Sequence, residues 1–226
     1  MITDNLGFCV IRKDILNSED LNFIEKKIRF FDISISQINQ YKPNKVLSVQ
    51  SIFYNSDLTN VSLVKSEKEF IKLKKIFETN CELISKNGFN SIIFGAPSVR
   101  INPTISNIKL KNRLTELIAL SRSFSINLYF EALPKKISDV LNYHEELIDL
   151  NNGNIHFDSA TWIENKRNFK DLKKIIKNID RFHLSIPDYR NDLWNFPEIK
   201  IICQLLINEN LKAQLKFIEM QIQNVF

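Results

Sequence analysis

The sequence predicts an α/β fold, a single compact (β/α)8 barrel of the TIM type in which residues 1–226 form one domain. Three observations predict it. Eight short apolar runs are spread over the whole chain. Helical patterns separate them. Glycine is scarce, with 4 in 226 residues, about 2% where roughly 7% is usual. That scarcity leaves no GxGxxG fingerprint and no GxxxxGK[ST] loop, which disfavours a classical dinucleotide fold or a P-loop NTPase. An open doubly wound sheet is the alternative arrangement of the same elements.

The strand candidates, in order, are residues 7–11, 30–36, 46–53, 91–95, 127–133, 155–158, 181–186 and 215–220. Each is rich in Ile, Val, Phe or Tyr. Near-continuous apolar runs are what strands buried on both faces look like. Helical periodicity fills the gaps at 19–28, 66–86, 110–124, 138–150, 171–179 and 198–208. The segment from Ser66 opens with Ser66-Glu67-Lys68-Glu69, a capping box that satisfies free amides at a helix start. Its apolar positions Phe70, Leu73, Ile76, Phe77 and Ile84 recur at helical spacing. Gly88 then stands where a helix often ends in left-handed geometry. Residues 37–44 contain Pro43 and read as a loop or one short turn. Asn, which also tolerates left-handed geometry, crowds the turns at Asn87, Asn90, Asn151, Asn152 and Asn154.

Composition bounds the class. Hydrophobic content of 44% and charged content of 25% describe an ordinary globular protein. The net charge of +5 is spread over short lysine groups, such as Lys72, Lys74 and Lys75, on polar helix faces. A solvated surface is therefore expected, and no nucleic-acid partner. Cys9, Cys81 and Cys203 are odd in number, far apart and without a CxxC pair. A disulfide framework or structural zinc site is not expected, and a reducing compartment fits. The first residues carry no apolar leader, and no run reaches the 18–20 residues that span a bilayer. The expected location is cytoplasmic, with no membrane partner.

The chemistry of such a barrel sits at the C-terminal ends of its strands. Four successive runs each place one metal-capable side chain there: Glu131, Asp158, His183 and Glu219. A carboxylate at the end of an apolar run is costly unless paired or metal-bound. Two Glu, one Asp and one His form a coherent ligand set for one divalent metal, Mn, Mg, Co or Zn. Arg100 and Arg190 follow the fourth and seventh strands and could clamp a substrate hydroxyl or phosphate. Gln50 ends the third strand, where it could bind substrate or cap. Trp162 and Trp194 fall in the loops after strands six and seven, as pocket walls, packing or the contact of a homodimer. His156 shares the parity of Asp158 one layer deeper and reads as a core histidine. His144 reads as a surface residue within its helix.

This set resembles the sugar phosphate isomerase/epimerase family, the xylose isomerase-like barrels that include D-tagatose 3-epimerase. Glu, Asp, His and Glu come from strands five to eight in that order, spaced 27, 25 and 36 residues apart. Val46-Leu47-Ser48-Val49-Gln50-Ser51-Ile52-Phe53 is similar to the family's third strand. The stretch from Ser91 to Arg100 is similar to its fourth strand and following loop. Phe130-Glu131-Ala132-Leu133-Pro134 is similar to its fifth-strand Glu segment. The resemblance implies one metal held by Glu131, Asp158, His183 and Glu219. It implies an isomerase or epimerase of a small-molecule sugar or sugar phosphate. Glu131 and Glu219 would be catalytic, passing a proton through a cis-enediolate. Departures accompany it. The substrate-binding His expected three residues after the sixth-strand Asp is Thr161. A second acid expected six residues after Glu131 is Ile137. Arg190 is one residue out of the family's register, and the loop after Glu131 is short. The resemblance also admits a metal-dependent lyase or dehydratase, and the departures motivate a non-catalytic carbohydrate- or partner-binding barrel. The related endonuclease IV-like repair enzymes need a His-rich trinuclear zinc cluster, which three histidines do not supply.

Overall fold

A computed structural model describes residues 6–10, 30–39, 46–50, 58–150, 154–184, 197–208 and 218–220. Eight strands are present: β1 Leu6–Val10, β2 Phe30–Ser34, β3 Val46–Gln50, β4 Ser91–Phe94, β5 Asn127–Glu131, β6 Asn154–Asp158, β7 Arg181–Leu184 and β8 Ile218–Met220. They form a closed barrel in sequence order. Every neighbouring pair is parallel, and β1 closes on β8 with Gly7 opposite Glu219. The barrel and not the open sheet is therefore the fold.

Six α-helices lie among the described residues: α1 Glu67–Lys86, α2 Asn107–Ser123, α3 His144–Leu150, α4 Ser159–Glu164, α5 Phe169–Ile175 and α6 Pro197–Asn208. The expected capping box starts α1, with Ser66 accepting from the Glu69 amide and Glu69 accepting from the Ser66 amide. Phe70, Leu73, Phe77, Cys81 and Ile84 form the buried stripe of α1, the Phe, Leu and Ile side chains each worth roughly 1.5–3 kcal/mol. The chain leaves α1 through Gly88 at φ 77°, a conformation that costs glycine nothing. The Asn expectation is corrected at Asn87, Asn90 and Asn154: Asn87 caps at φ −87°, and among the described residues the non-glycine positions at positive φ are Asn60, Asn102, Ser125, Leu141 and Lys166. Asn151 and Asn152 lie outside the described residues. The helix expected over 138–150 begins only at His144, because residues 135–143 fold into turns held by Asn142, whose amide donates to Leu133 and Ser138 carbonyls. The helix expected over 19–28 lies outside the described residues.

The strands alternate cleanly. Ile92, Phe94, Leu128, Phe130, Ile155, Phe157 and Phe182 face outward and join the helices in one hydrophobic core. The intervening positions face the barrel interior, where side chains of alternate residues must meet. Barrel interiors are usually filled by branched apolar layers. Here the inward set on β2 and β5–β7 includes Asp32, Tyr129, Glu131, His156, Asp158, Arg181 and His183. Low down, the Arg181 guanidinium stacks 3.9 Å from the Tyr129 ring centre. Among the described residues, no helix is long and apolar enough to cross a membrane.

Candidate active site

Glu131 is the last residue of β5, and its register partner on β6 is His156. His156 in turn lies opposite Arg181, and Asp158 lies opposite His183. His183 lies opposite Glu219 on β8. Parallel pairing thus carries the four expected residues around one side of the barrel, as strand order requires. For Glu219 the backbone register is what the structure places.

The side chains of Glu131, His156 and His183 bring one carboxylate oxygen and two imidazole nitrogens within 4.8 Å of one another. The two rings meet edge to face, with centroids 4.0 Å apart at 87°. His183 is fully buried, and its Nε2 lies 3.3 Å from Asp32 Oδ2. Its Nδ1 lies 3.9 Å from Asp158 Oδ2. Asp158 Oδ1 accepts the Thr161 amide at 3.0 Å, so the same carboxylate is the N-cap of α4. His156 is buried, and neither ring nitrogen has a hydrogen-bond partner among the described residues. Burial, the neighbouring His183 second, drives its pKa well below the ordinary histidine value, so the ring is neutral.

Burial also pushes Glu131 up to about 7, aided by Asp158 and opposed by His183 and Arg100. A carboxyl poised there exchanges protons readily at neutral pH. Gly95, one residue past β4, leaves the room Glu131 needs. A Cβ at Gly95 would collide with Glu131 Oε2.

A divalent cation fits this constellation. Two imidazoles and a carboxylate are a ligand set for transition metals, and such an ion would satisfy one of the two unpartnered nitrogens of His156. Fully buried polar atoms without partners are otherwise costly, by about 1–3 kcal/mol each.

Other expected site residues lie elsewhere. Arg100 is buried rather than open to substrate. Its guanidinium donates to the Glu131 carbonyl at 2.8 Å and the Phe94 carbonyl at 2.6 Å, tying the ends of β5 and β4 together. Burial lowers it to about 10, with Glu131 opposing. It braces the C-terminal face of the barrel from behind. Arg100→Met is expected to lower unfolding stability by about 3 kcal/mol, since two charge-assisted bonds to strand-end carbonyls are lost. Urea denaturation checks this.

Trp162 is also redirected. Because Asp158 caps a helix straight after β6, Trp162 turns into the outer layer, 5.6 Å from both the Phe157 and His144 rings. It is buried there and is not a pocket wall. Gln50 ends β3 opposite Ser34 and Ile93, and its backbone is placed at the C-terminal end of the barrel. Arg190 and Trp194 lie outside the described residues. Thr161 is buried in α4, while Ile137 is exposed.

The structure moves one residue from its expected place and adds another. His144 is buried at the start of α3, not on the surface, and burial, with Arg167 second, drives it down to about 3. Above the unfolded value near 6.5 both states are neutral. As pH falls below it, the unfolded chain takes a proton that the folded chain refuses, so stability is lost on acidification. By pH 5 the loss from this group is about 2 kcal/mol. His144→Phe is expected to remove it, narrowing the difference between pH 7 and pH 5 melting curves relative to the parent. Asp32 was missed altogether. Its signal was a carboxylate in the middle of the apolar run Phe30-Phe31-Asp32-Ile33. The register between β2 and β3 shifts between Phe31 and Asp32, an irregularity that re-aims side chains near active sites.

No protein-family model and no curated sequence matches the chain. Solved structures do. A D-psicose 3-epimerase crystallised in the presence of D-fructose aligns at TM-score 0.66 and 16% identity, covering 96% of this chain and 84% of that one. A 3-keto-D-glucoside 4-epimerase from E. coli aligns at TM-score 0.69 and 14% identity, covering 98% and 94%. The IOLI protein, with a zinc atom bound, aligns at TM-score 0.66 and 14% identity, covering 98% and 90%. At these identities the likeness establishes the shared barrel fold.

Proposed function

We propose that the protein is a metal-dependent sugar or sugar phosphate isomerase or epimerase. The observation that carries the reading is the cluster of Glu131, His156 and His183 at the catalytic end of a closed parallel barrel. The sugar epimerases that share this fold support it, and the zinc-bound neighbour supports a metal.

Glu131, Asp158, His183 and Glu219 would hold the divalent cation. When bound, it supplies Lewis-acid polarisation of a substrate carbonyl and acidifies the neighbouring C–H. The protein does the rest. Glu131, held near neutrality, takes a proton from carbon, and Glu219, three strands away around the eight-stranded ring, returns one through a cis-enediolate. Return on the opposite face gives epimerisation; transfer to the adjacent carbon gives aldose–ketose isomerisation. Asp158 orients while capping α4, and Asp32 holds the far side of His183. Thr161 and Ile137 stand where the resembled family carries polar substrate contacts, so the sugar preference is this chain's own.

The test is solvent exchange. The protein loaded with Mn²⁺ or Co²⁺ is incubated in D₂O with a panel of ketoses, with and without phosphate, and followed by NMR. Deuterium at C2 or C3 without loss of water is expected. Loss of water would transfer the site to a lyase. No exchange with any compound would leave a carbohydrate-binding barrel.

A further inference from the structure

We infer that His156 is itself a metal ligand, so that the site offers two imidazoles and selects a borderline transition ion such as Zn²⁺ or Co²⁺ over Mg²⁺. The inference rests on the metal-dependent reading above and deepens it by naming the class of cation.

Register and geometry carry it. His156 occupies the inward position of β6 next to Glu131 on β5. Its ring meets His183 edge to face at 4.0 Å. One donor atom each from Glu131, His156 and His183 falls within a 4.8 Å span, so a side-chain adjustment of about half an ångström brings all three to the roughly 2.0–2.2 Å bonds of one ion. The ring is buried, and both its nitrogens lack a partner among the described residues. A core histidine normally finds at least one. His183 completes the picture from the other side. With Nε2 donating to Asp32, a neutral His183 ring carries its lone pair on Nδ1, which looks toward the Asp158 carboxylate at 3.9 Å. Two electron-rich atoms at that separation match two ligands of one cation. A carboxylate behind a ligating imidazole fixes its tautomer and orientation, and Asp32 is that carboxylate. Imidazole nitrogen is favoured by zinc and cobalt, whereas Mg²⁺ is served by oxygen ligands.

The metal-free full chain would be titrated separately with Zn²⁺, Co²⁺ and Mg²⁺ by calorimetry. X-ray absorption on the zinc-loaded wild type would count its imidazoles. The expected result is two imidazoles and zinc bound far more tightly than magnesium. In His156→Leu, one imidazole is expected and zinc affinity falls at least the 10- to 100-fold that follows loss of even an outer-shell partner. One imidazole in the wild type, with zinc affinity unchanged in His156→Leu, would overturn the inference and leave the carboxylate-based metal site standing. No binding of any of the three cations by the wild type would overturn both. The wild-type spectrum decides the matter even where the variant fails to fold.

Discussion

Glu131→Gln is expected to abolish turnover, lowering kcat by about 10³-fold or more, without unfolding the barrel. The magnitude follows from what general acid–base groups contribute, typically 10²- to 10⁴-fold, with the loss of a charged ligand added. The amide keeps the shape of the side chain but cannot accept the proton from carbon. Stability is expected to survive because burial already disfavours the ionised form of Glu131, whose pKa rises to about 7. A neutral amide in its place is therefore no worse at pH 8. Glu219→Gln is expected to match it in kcat. Circular dichroism and melting curves measured beside the kinetics separate chemistry from folding. A variant that is folded and retains a tenth or more of the parent rate would sink the role given to Glu131.

Gly95→Ala is the second large effect, and it separates position from chemistry. Among the described residues, the added Cβ would meet Glu131 Oε2 and nothing else nearby but the same carboxyl's carbon. That oxygen is the far end of a flexible side chain, so the fold can yield cheaply. The carboxylate cannot yield without leaving its place. Misplacing a reacting group by about 1 Å costs on the order of 10²-fold. The expected outcome is a rate loss of about that size, weaker metal binding and a melting temperature close to the parent. A large drop in melting temperature with normal specific activity in the folded fraction would reverse the reading. The pair Gly95 and Glu131 is set by the parallel register, since Phe94 lies opposite Phe130 one step earlier.

Glu131, Asp158 and His183 were legible in sequence as inward strand-end residues because strands alternate with period two and apolar runs mark them. Each polar end residue stood out against its run. Asp32 was not legible by that rule, because it sits before the end of its strand, beside a register shift that only the β2–β3 pairing reveals. Arg100 read as a residue free to clamp substrate. Nothing local says that the turn Pro97–Val99 folds its guanidinium back under the strand ends. Trp162 read as a pocket wall because the short helix α4 has too little periodicity to announce itself; its cap is the site residue Asp158. His144 read as exposed for a similar reason, its helix being expected six residues too early.

Eight strand positions, the capping of α1 and the strand-end residues able to carry chemistry were readable along the chain, while barrel or open sheet was left to the pairing of β1 with β8. The readable features depend on periodicity and on interactions a few residues apart. The tertiary structure decided which of them meet. Whether His156 is core or ligand, whether Asp32 belongs to the site, and whether Arg100 and Trp162 face solvent or the outer layer all depend on contacts between strands far apart in the chain. Asp32 and His183 are 151 residues apart in sequence and 3.3 Å apart in the barrel. No local pattern encodes such a pair, because closure of the ring and the register of each strand set it together.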